Sequence, residues 1–201
     1  MKQPQQVAPP AAELITLARA RQHLKLETEG SPPTHPDDDL ITDLITAARE
    51  AAEKYTGLTI AQRDFTVALD EFPAYIIDTQ LWPVTAIGSI TYTDQNGATQ
   101  TVTAANYELD NYTRPASIVS PVEAWPATKV TPNAVIATVT AGLTDGQSPN
   151  PYPCPKAIIQ GMLLTIGHLY ENRQSVVGTQ RYELPLGVQS LLTPYRISLG
   201  M

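Results

Sequence analysis

The 201-residue chain is predicted to fold as an α+β protein, a helical bundle carrying an inserted small antiparallel β module. Two observations lead there. Residues 37–55 and 156–172 repeat apolar side chains at spacings of three and four, the pattern of a helix with one wide apolar face. Residues between about 62 and 142 instead alternate with a period of two, or break at proline and glycine. Helix faces that wide are not left in water, so the two ends of the chain are expected to pack together while the middle forms a module of its own.

Each element follows from local chemistry. Residues 1–13 are rich in Pro, Gln and Ala, lack the apolar core of a signal peptide, and read as a flexible N-terminal arm. The bundle is assigned to residues 14–60 and 153–178, with helices at about 17–26, 38–56 and 156–172. Thr16 is placed to cap the first helix, and Leu17, Ala20 and Leu24 share one side of it. Pro32, Pro33 and Pro36 prevent its continuation, which makes a helical hairpin the economical reading. In the second helix Ile41, Leu44, Ile45, Ala48, Ala52 and Tyr55 form the apolar stripe, with Asp43, Arg49, Glu50 and Glu53 opposite. Asp37, Asp38 and Asp39 complement the positive end of the helix dipole, and Gly57 supplies a C-terminal stop.

The β module is assigned to residues 61–152. Phe65, Val67 and Leu69 alternate with Asp64, Thr66 and Ala68 as in a half-buried strand. Residues 87–93 and 98–102 flank Asn96-Gly97, a hairpin signal because both turn residues tolerate positive φ. Further strands are expected at 107–110, 117–119 and 134–141. A turn-rich return through 143–155 leads into the third helix, where Ile158, Ile159, Met162, Ile166, Leu169 and Tyr170 make the apolar face. The remainder, 179–201, contains a short helix at about 187–193. It presents Leu184, Leu186, Val188, Leu191, Leu192, Tyr195 and Ile197 after a polar stretch, with no helix length left to bury them.

Composition narrows the function classes. A formal net charge of -7 makes the chain as a whole repel nucleic acid and anionic membrane. Arg19, Arg21 and Lys25 are the nearest approach to a basic run and read as the solvated face of the first helix. No window approaches the roughly 20 apolar residues that a bilayer crossing needs. The single cysteine, Cys154, excludes an internal disulfide and a cysteine-rich metal site, and between Pro153 and Pro155 it reads as a small apolar residue before a helix. The 18 prolines, nearly twice the usual share of about 5%, concentrate where helices would be broken.

A search for chemistry finds little. No phosphate-binding glycine loop is present. His23, His35 and His168 stand apart, outside any zinc-ligand spacing. His168 and Glu171 sit three apart on one helix face, yet a histidine beside Leu169-Tyr170 reads more simply as packed and hydrogen-bonded. The acidic run at 37–39 with Asp43 lacks the alternating carboxylates, central glycine and terminal glutamate of a calcium loop. Trp82 and Trp125, each before a proline, suit either a glycan- or peptide-binding face of the β module or its core. No cofactor, metal or enzymatic activity is expected.

The order of the motifs carries a resemblance. Leu17-Ala18-Arg19-Ala20-Arg21-Gln22-His23-Leu24, the acidic run into Leu40-Ile41-Thr42-Asp43-Leu44-Ile45, and Tyr55-Thr56-Gly57 are followed by Trp82-Pro83, Trp125-Pro126 and Ala141-Gly142. Then come Pro155 opening the long helix, His168-Leu169-Tyr170-Glu171-Asn172-Arg173, Leu184-Pro185-Leu186-Gly187-Val188 and Pro194-Tyr195-Arg196. From Leu14 to Arg196 this order resembles the head–tail connector (adaptor) proteins of tailed bacteriophages. The resemblance implies a non-enzymatic virion protein, made in the host bacterial cytoplasm, that forms a ring, commonly twelvefold, between the portal and a stopper or tail-completion protein. It implies a channel through which DNA passes without specific binding, and no membrane contact. On that reading the seven apolar residues of the C-terminal segment dock on the portal or on a neighbouring subunit. The alternative is a binding module whose β insertion recognises a glycan or peptide.

Overall fold

The computed structural model describes residues 2–120, 125–144, 151–172 and 186–197. In chain order the elements are β1 (Gln5–Gln6), α1 (Leu17–Leu24), α2 (Asp38–Thr56), β2 (Arg63–Leu69), β3 (Ile76–Asp78), β4 (Val84–Thr93), β5 (Thr99–Thr101), β6 (Glu108–Asp110), β7 (Ser117–Val119), β8 (Val135–Ala141), α3 (Lys156–Glu171) and α4 (Leu186–Leu192). They group into a β unit, built from the residues up to Ala11 and Ala61–Tyr152, and a helical unit, built from Ala12–Ile60 and the residues from Pro153 onward.

The β unit corrects the expected architecture. The chain is mixed α+β, but it is not a helical bundle with an inserted small β module. The strands form two antiparallel sheets, one of five strands in the order β1-β2-β8-β4-β5 and one of three in the order β3-β7-β6. The N-terminal residues expected as a flexible arm enter the first sheet, Gln5 opposite Thr66 and Gln6 opposite Phe65. Among the described helices only α2 and α3 are long; α1 has 8 residues, fewer than expected, and α4 is the short helix expected there, with 7.

The physical reason lies in how many apolar residues the strands turn inward. Phe65, Val67, Ile90, Val135, Ala137 and Val139 are all buried, and one side of a single sheet cannot shelter them from water. The second sheet supplies Ile77 and Ile118, each 0% exposed, to the same core.

β8 is the spine of the larger sheet. It pairs with β2 from Arg63↔Ala141 to Leu69↔Val135 and with β4 from Val84↔Ala141 to Tyr92↔Val135. Irregularities in β4 between Val84 and Ser89 bend that strand against the straight run of β8. The Asn96-Gly97 turn closes β4 on β5 as its sequence predicts, with Gly97 at φ 88 and the Asp94 carboxylate accepting the Asn96 and Ala98 N–H groups.

In the helical unit α1 starts where Thr16 accepts the Arg19 N–H at 3.2 Å, and it ends at Lys25 in the left-handed region. Leu26 N–H then reaches back to the Arg21 carbonyl, closing the helix two residues before the expected limit. α2 stops at Gly57, φ 75, as its sequence predicts. α3 buries Ile158, Ile159, Met162 and Ile166. Its two internal glycines allow close approach of neighbours: a Cβ on Gly161 would lie 3.2 Å from Leu192 Cδ2, and one on Gly167 3.5 Å from the His23 ring.

Two arginines depart from their expected solvated positions. Arg21 is 8% exposed; its Nε donates to Asp38 Oδ1 at 2.6 Å and its Nη1 to the Pro33 carbonyl at 2.9 Å, while Nη2 pairs with Asp38 Oδ2. That guanidinium is the main reason the Asp38 carboxyl sits below its ordinary pKa, against the opposing cost of burial, with the His35 N–H adding to the lowering. Arg49, 5% exposed, donates from Nε to both Glu13 oxygens at 3.0 Å and from Nη1 to Glu53 at 2.9 Å. Burial opposes its charge, yet the Glu13 hydrogen bond and the Glu53 charge together leave its pKa raised. Glu53 is bound further by the Ile60 N–H at 2.8 Å, so one network ties residues 13, 49, 53 and 60.

Two outcomes follow for stability. Gly142→Ala places a Cβ 2.3 Å from Gln62 Cα at φ 142, and it is expected to destabilise the β unit by on the order of 3 kcal/mol or more; an unchanged urea midpoint would contradict the packing described. Arg49→Ala leaves Glu13 and Glu53 facing each other and is expected to cost about 3 kcal/mol, toward the low end for a broken buried pair because the Glu13 side chain is 25% exposed. Helical CD followed through urea unfolding measures that loss, and Arg49→Lys should recover only part of it because a single ammonium cannot serve both carboxylates.

Candidate functional site

The seven apolar residues of the C-terminal segment are not one exposed surface. Leu184 lies outside the described residues. Val188 and Leu192 are 0% and 1% exposed, with Leu192 seated over Gly161 of α3. Leu191, Tyr195 and Ile197 are half-buried, and Leu186 is 83% exposed. α4 thus has a place within its own chain. The sequence-based expectation that nothing remained to cover these residues overlooked the small side chains of α3, which let a short helix lie close.

After α4 the chain clips onto the end of α2. The Ile197 N–H donates to the Thr56 carbonyl at 2.7 Å, Tyr55 and Thr193 share a hydroxyl hydrogen bond of 2.9 Å, and the Arg196 guanidinium lies 5.7 Å from the Tyr55 ring centre. Leu186 therefore projects from an anchored helix.

The remaining candidate groups are occupied within the fold. His168 Nδ1 lies 3.3 Å from Asn172 Nδ2, and Glu171 is exposed, so their shared face is not a base with its orienting carboxylate. Burial pushes the Cys154 thiol up to about 12, the state of an inert side chain and not of a nucleophile. In the acidic run Asp37 accepts the Tyr170 hydroxyl at 2.6 Å and Asp38 is held by Arg21. The loop between α1 and α2 forms an open hollow lined by Glu27, Glu29, Thr34, His35 and Pro36, in which His35 Nδ1 already accepts the Asp37 N–H. No group of three metal-ligating side chains occurs among the described residues, and no helix among them is long and apolar enough to cross a membrane.

Trp82 and Trp125 are packed inward. Arg114 lies 4.0 Å above the Trp82 ring, and Tyr152 meets it edge-on with centres 5.6 Å apart. Trp125 stacks on Phe72 at 4.9 Å. Both side chains are half-buried against the core of the β unit, with their indole N–H groups buried and without a hydrogen-bond partner among the described residues.

What the fold leaves in water among the described residues are scattered large apolar side chains: Val7, Tyr75, Ile76, Tyr112, Val130 and Ile136 in the β unit, Leu164 and Leu186 in the helical unit. Tyr75 and Ile76, at 71% and 52% exposure, stand side by side at the start of a sheet edge. Sequence reading had no strand there; the short run Ile76-Ile77-Asp78 after Phe72-Pro73 carries too little alternation to announce one.

No family model matches the sequence, and no curated protein matches it. Among solved structures the chain is similar to one in the neck of an empty gene transfer agent particle computed with C6 symmetry, at TM-score 0.78 and 21% identity over 100% of this chain and 98% of the other. A chain in the virion of the native gene transfer agent particle gives 0.76 at 21% identity with the same coverage. One in the neck of the native particle computed with C12 symmetry gives 0.74 at 20% identity, again over 100% and 98%. The whole chain, both units included, therefore shares its fold with these neck chains.

Proposed function

We propose that this protein is a structural subunit of the neck of a tailed phage or phage-like particle, a head–tail connector that stands as a ring between portal and tail and prolongs the channel for DNA. The observation that carries the proposal is the end-to-end fold likeness to neck chains, with 100% of this chain and 98% of the other aligned. The order of sequence motifs from Leu14 to Arg196 supports it independently. A ring, twelvefold in this proposal, agrees with the C6 and C12 symmetries in which those neck chains were computed. The subunit carries out no catalysis; its work is to hold neighbours, the portal on one side and a stopper or tail-completion protein on the other.

A net charge of -7 suits a conduit, because phosphates slide past a surface that repels them. The protein would be made in the host cytoplasm and end in the virion. In the docking segment Val188 and Leu192 position α4, and Leu186 is the side chain left to enter a partner. The glycan- or peptide-binding alternative has no observation in its favour, since Trp82 and Trp125 are packed within the β unit.

Particles assembled without the chain are expected to accumulate as DNA-filled heads lacking tails, and electron micrographs of portal-bearing heads incubated with the purified protein should gain a ring at the portal. Normal tailed particles, or the chain found along the tail or on the capsid wall, would overturn the proposal. Leu186→Asp should leave the melting temperature within about 2 °C of the parent, as for exposed positions generally, and weaken attachment to heads at least tenfold, about 1.4 kcal/mol.

A further inference from the structure

The two sheets of the β unit end in four edges, and these differ in how they are guarded. A strand at an edge offers unpaired N–H and C=O groups, which proteins blunt with prolines, charges or very short strands. β1 is two residues long and lies between Pro4 and the Pro9-Pro10 pair. β6 carries carboxylates at Glu108 and Asp110 on either side of Leu109. β5 and β3 are less guarded: β5 reads Thr-Gln-Thr, fully exposed, with neither charge nor proline, and β3 reads Ile-Ile-Asp, with the single carboxylate of Asp78 at its end and exposed Tyr75 before it.

The hydrogen-bond pattern tells which groups are open. Val102 N–H donates to the Ile90 carbonyl and Asp94 N–H to the Ala98 carbonyl. Bonds to β4 therefore belong to positions 98, 100 and 102, and by antiparallel alternation the N–H and C=O of Thr99 and Thr101 point away from the sheet. On the other sheet Thr79 N–H donates to the Ala116 carbonyl and Ser120 N–H to the Tyr75 carbonyl. Bonds to β7 belong to 75, 77 and 79, and those of Ile76 and Asp78 point outward. Each edge thus presents two outward residues spaced by two, which is the repeat that two antiparallel strands need in order to meet.

Resting on the ring-subunit reading above, we infer that β5 of one copy adds to β3 of the next, with Thr101 opposite Ile76 and Thr99 opposite Asp78. Each of those two residue pairs exchanges two backbone hydrogen bonds. Thr101 and Ile76 become cross-strand neighbours, a pairing of β-branched side chains that sheets favour. The partner is a second copy because the chain itself carries both halves of the contact on two different edges. A contact between unlike patches does not stop at a dimer; it repeats from copy to copy until rotation closes a ring. The exposed Tyr75 and Ile76 would then lie under a neighbour instead of in water.

Cysteine pairing tests this in the full chain. The native Cys154 is buried and its thiol is pushed up to about 12, so introduced cysteines are the reactive ones. Hydrogen-bonded antiparallel pairs hold their Cα atoms about 5.5 Å apart, within disulfide reach. Thr101→Cys and Ile76→Cys are made singly, mixed and oxidised at high protein concentration, and the product is read on non-reducing gels. The mixed dimer is expected to exceed either self-linked dimer at least tenfold, and the double variant should give a ladder of multimers. Thr101→Pro removes an outward N–H while sparing the bonds to β4, and it should raise the concentration for half-association about tenfold. Self-linked dimers equal to or above the mixed one, or no linkage, would overturn the strand pairing. Rings seen in micrographs without the mixed link would overturn it and leave the neck reading intact. The mixed link in a chain absent from the neck would do the reverse.

Discussion

The structure of the β unit depends on one close crossing of backbone, Gly142 over Gln62. After α2 the chain re-enters the larger sheet through β2 and finally leaves it through β8, and these strands are direct neighbours. Just beyond their last pair, Arg63↔Ala141, a parallel bridge joins Ala61 to Leu143. Between those contacts no Cβ fits: one on Gly142 would lie 2.3 Å from Gln62 Cα and 2.6 Å from its nitrogen. The entry and exit of the sheet are held against each other there, with Ala61, Ala141 and Leu143 buried around the crossing. Once β2 and β8 are set in that register, β4 aligns on the other side of β8, and the inward row of Val135, Ala137 and Val139 defines the core that the second sheet covers.

The helical unit is organised by buried charge as much as by apolar faces. Arg49 links Glu13, ahead of α1, to Glu53 in the last turns of α2, and Arg21 links α1 to the first turn of α2 through Asp38. Such pairs contribute little net stability, because desolvation offsets most of the attraction, but they strongly penalise arrangements that leave one partner alone. They select one packing of the helical hairpin among several that the apolar stripes alone would permit. Gly161 and Gly167 then set how closely α4 and α1 approach α3.

These features bear on assembly. A neck subunit, the role proposed for this chain, would have to be rigid within itself and adhesive toward its neighbours. The α4 anchor, the clip of Ile197 on Thr56 and the inward-packed tryptophans spend apolar and aromatic groups on the chain's own integrity. What remains outward among the described residues is scattered: Leu186, Tyr75 with Ile76, Val7, Tyr112 and Val130, and the lightly guarded edges of β3 and β5. In the proposed ring the edges would provide directional backbone contacts that individually are weak, and closure would make them act together.

The sequence by itself determined the elements whose signal is local. Thr16 as a cap, Gly57 as a stop, the Asn96-Gly97 hairpin and the two long amphipathic helices depend on side chains within a few residues of one another, and most strands after β2 are legible from alternation. Tertiary structure alone decided everything that depends on partners distant in the chain. The burial of Arg21 and Arg49 requires carboxylates 17 and 36 residues away, so periodicity read them as solvated. β1 and β3 are too short to alternate; β1 exists because the seven-residue β2 offers it an edge, and β3 because β7, distant in sequence, does. The expected docking surface divided because whether an apolar side chain is covered depends on what lies across from it: Val188 and Leu192 found α3, and Leu186 found water. Local propensity follows from covalent neighbours, whereas burial follows from spatial ones, and only the folded chain brings those together.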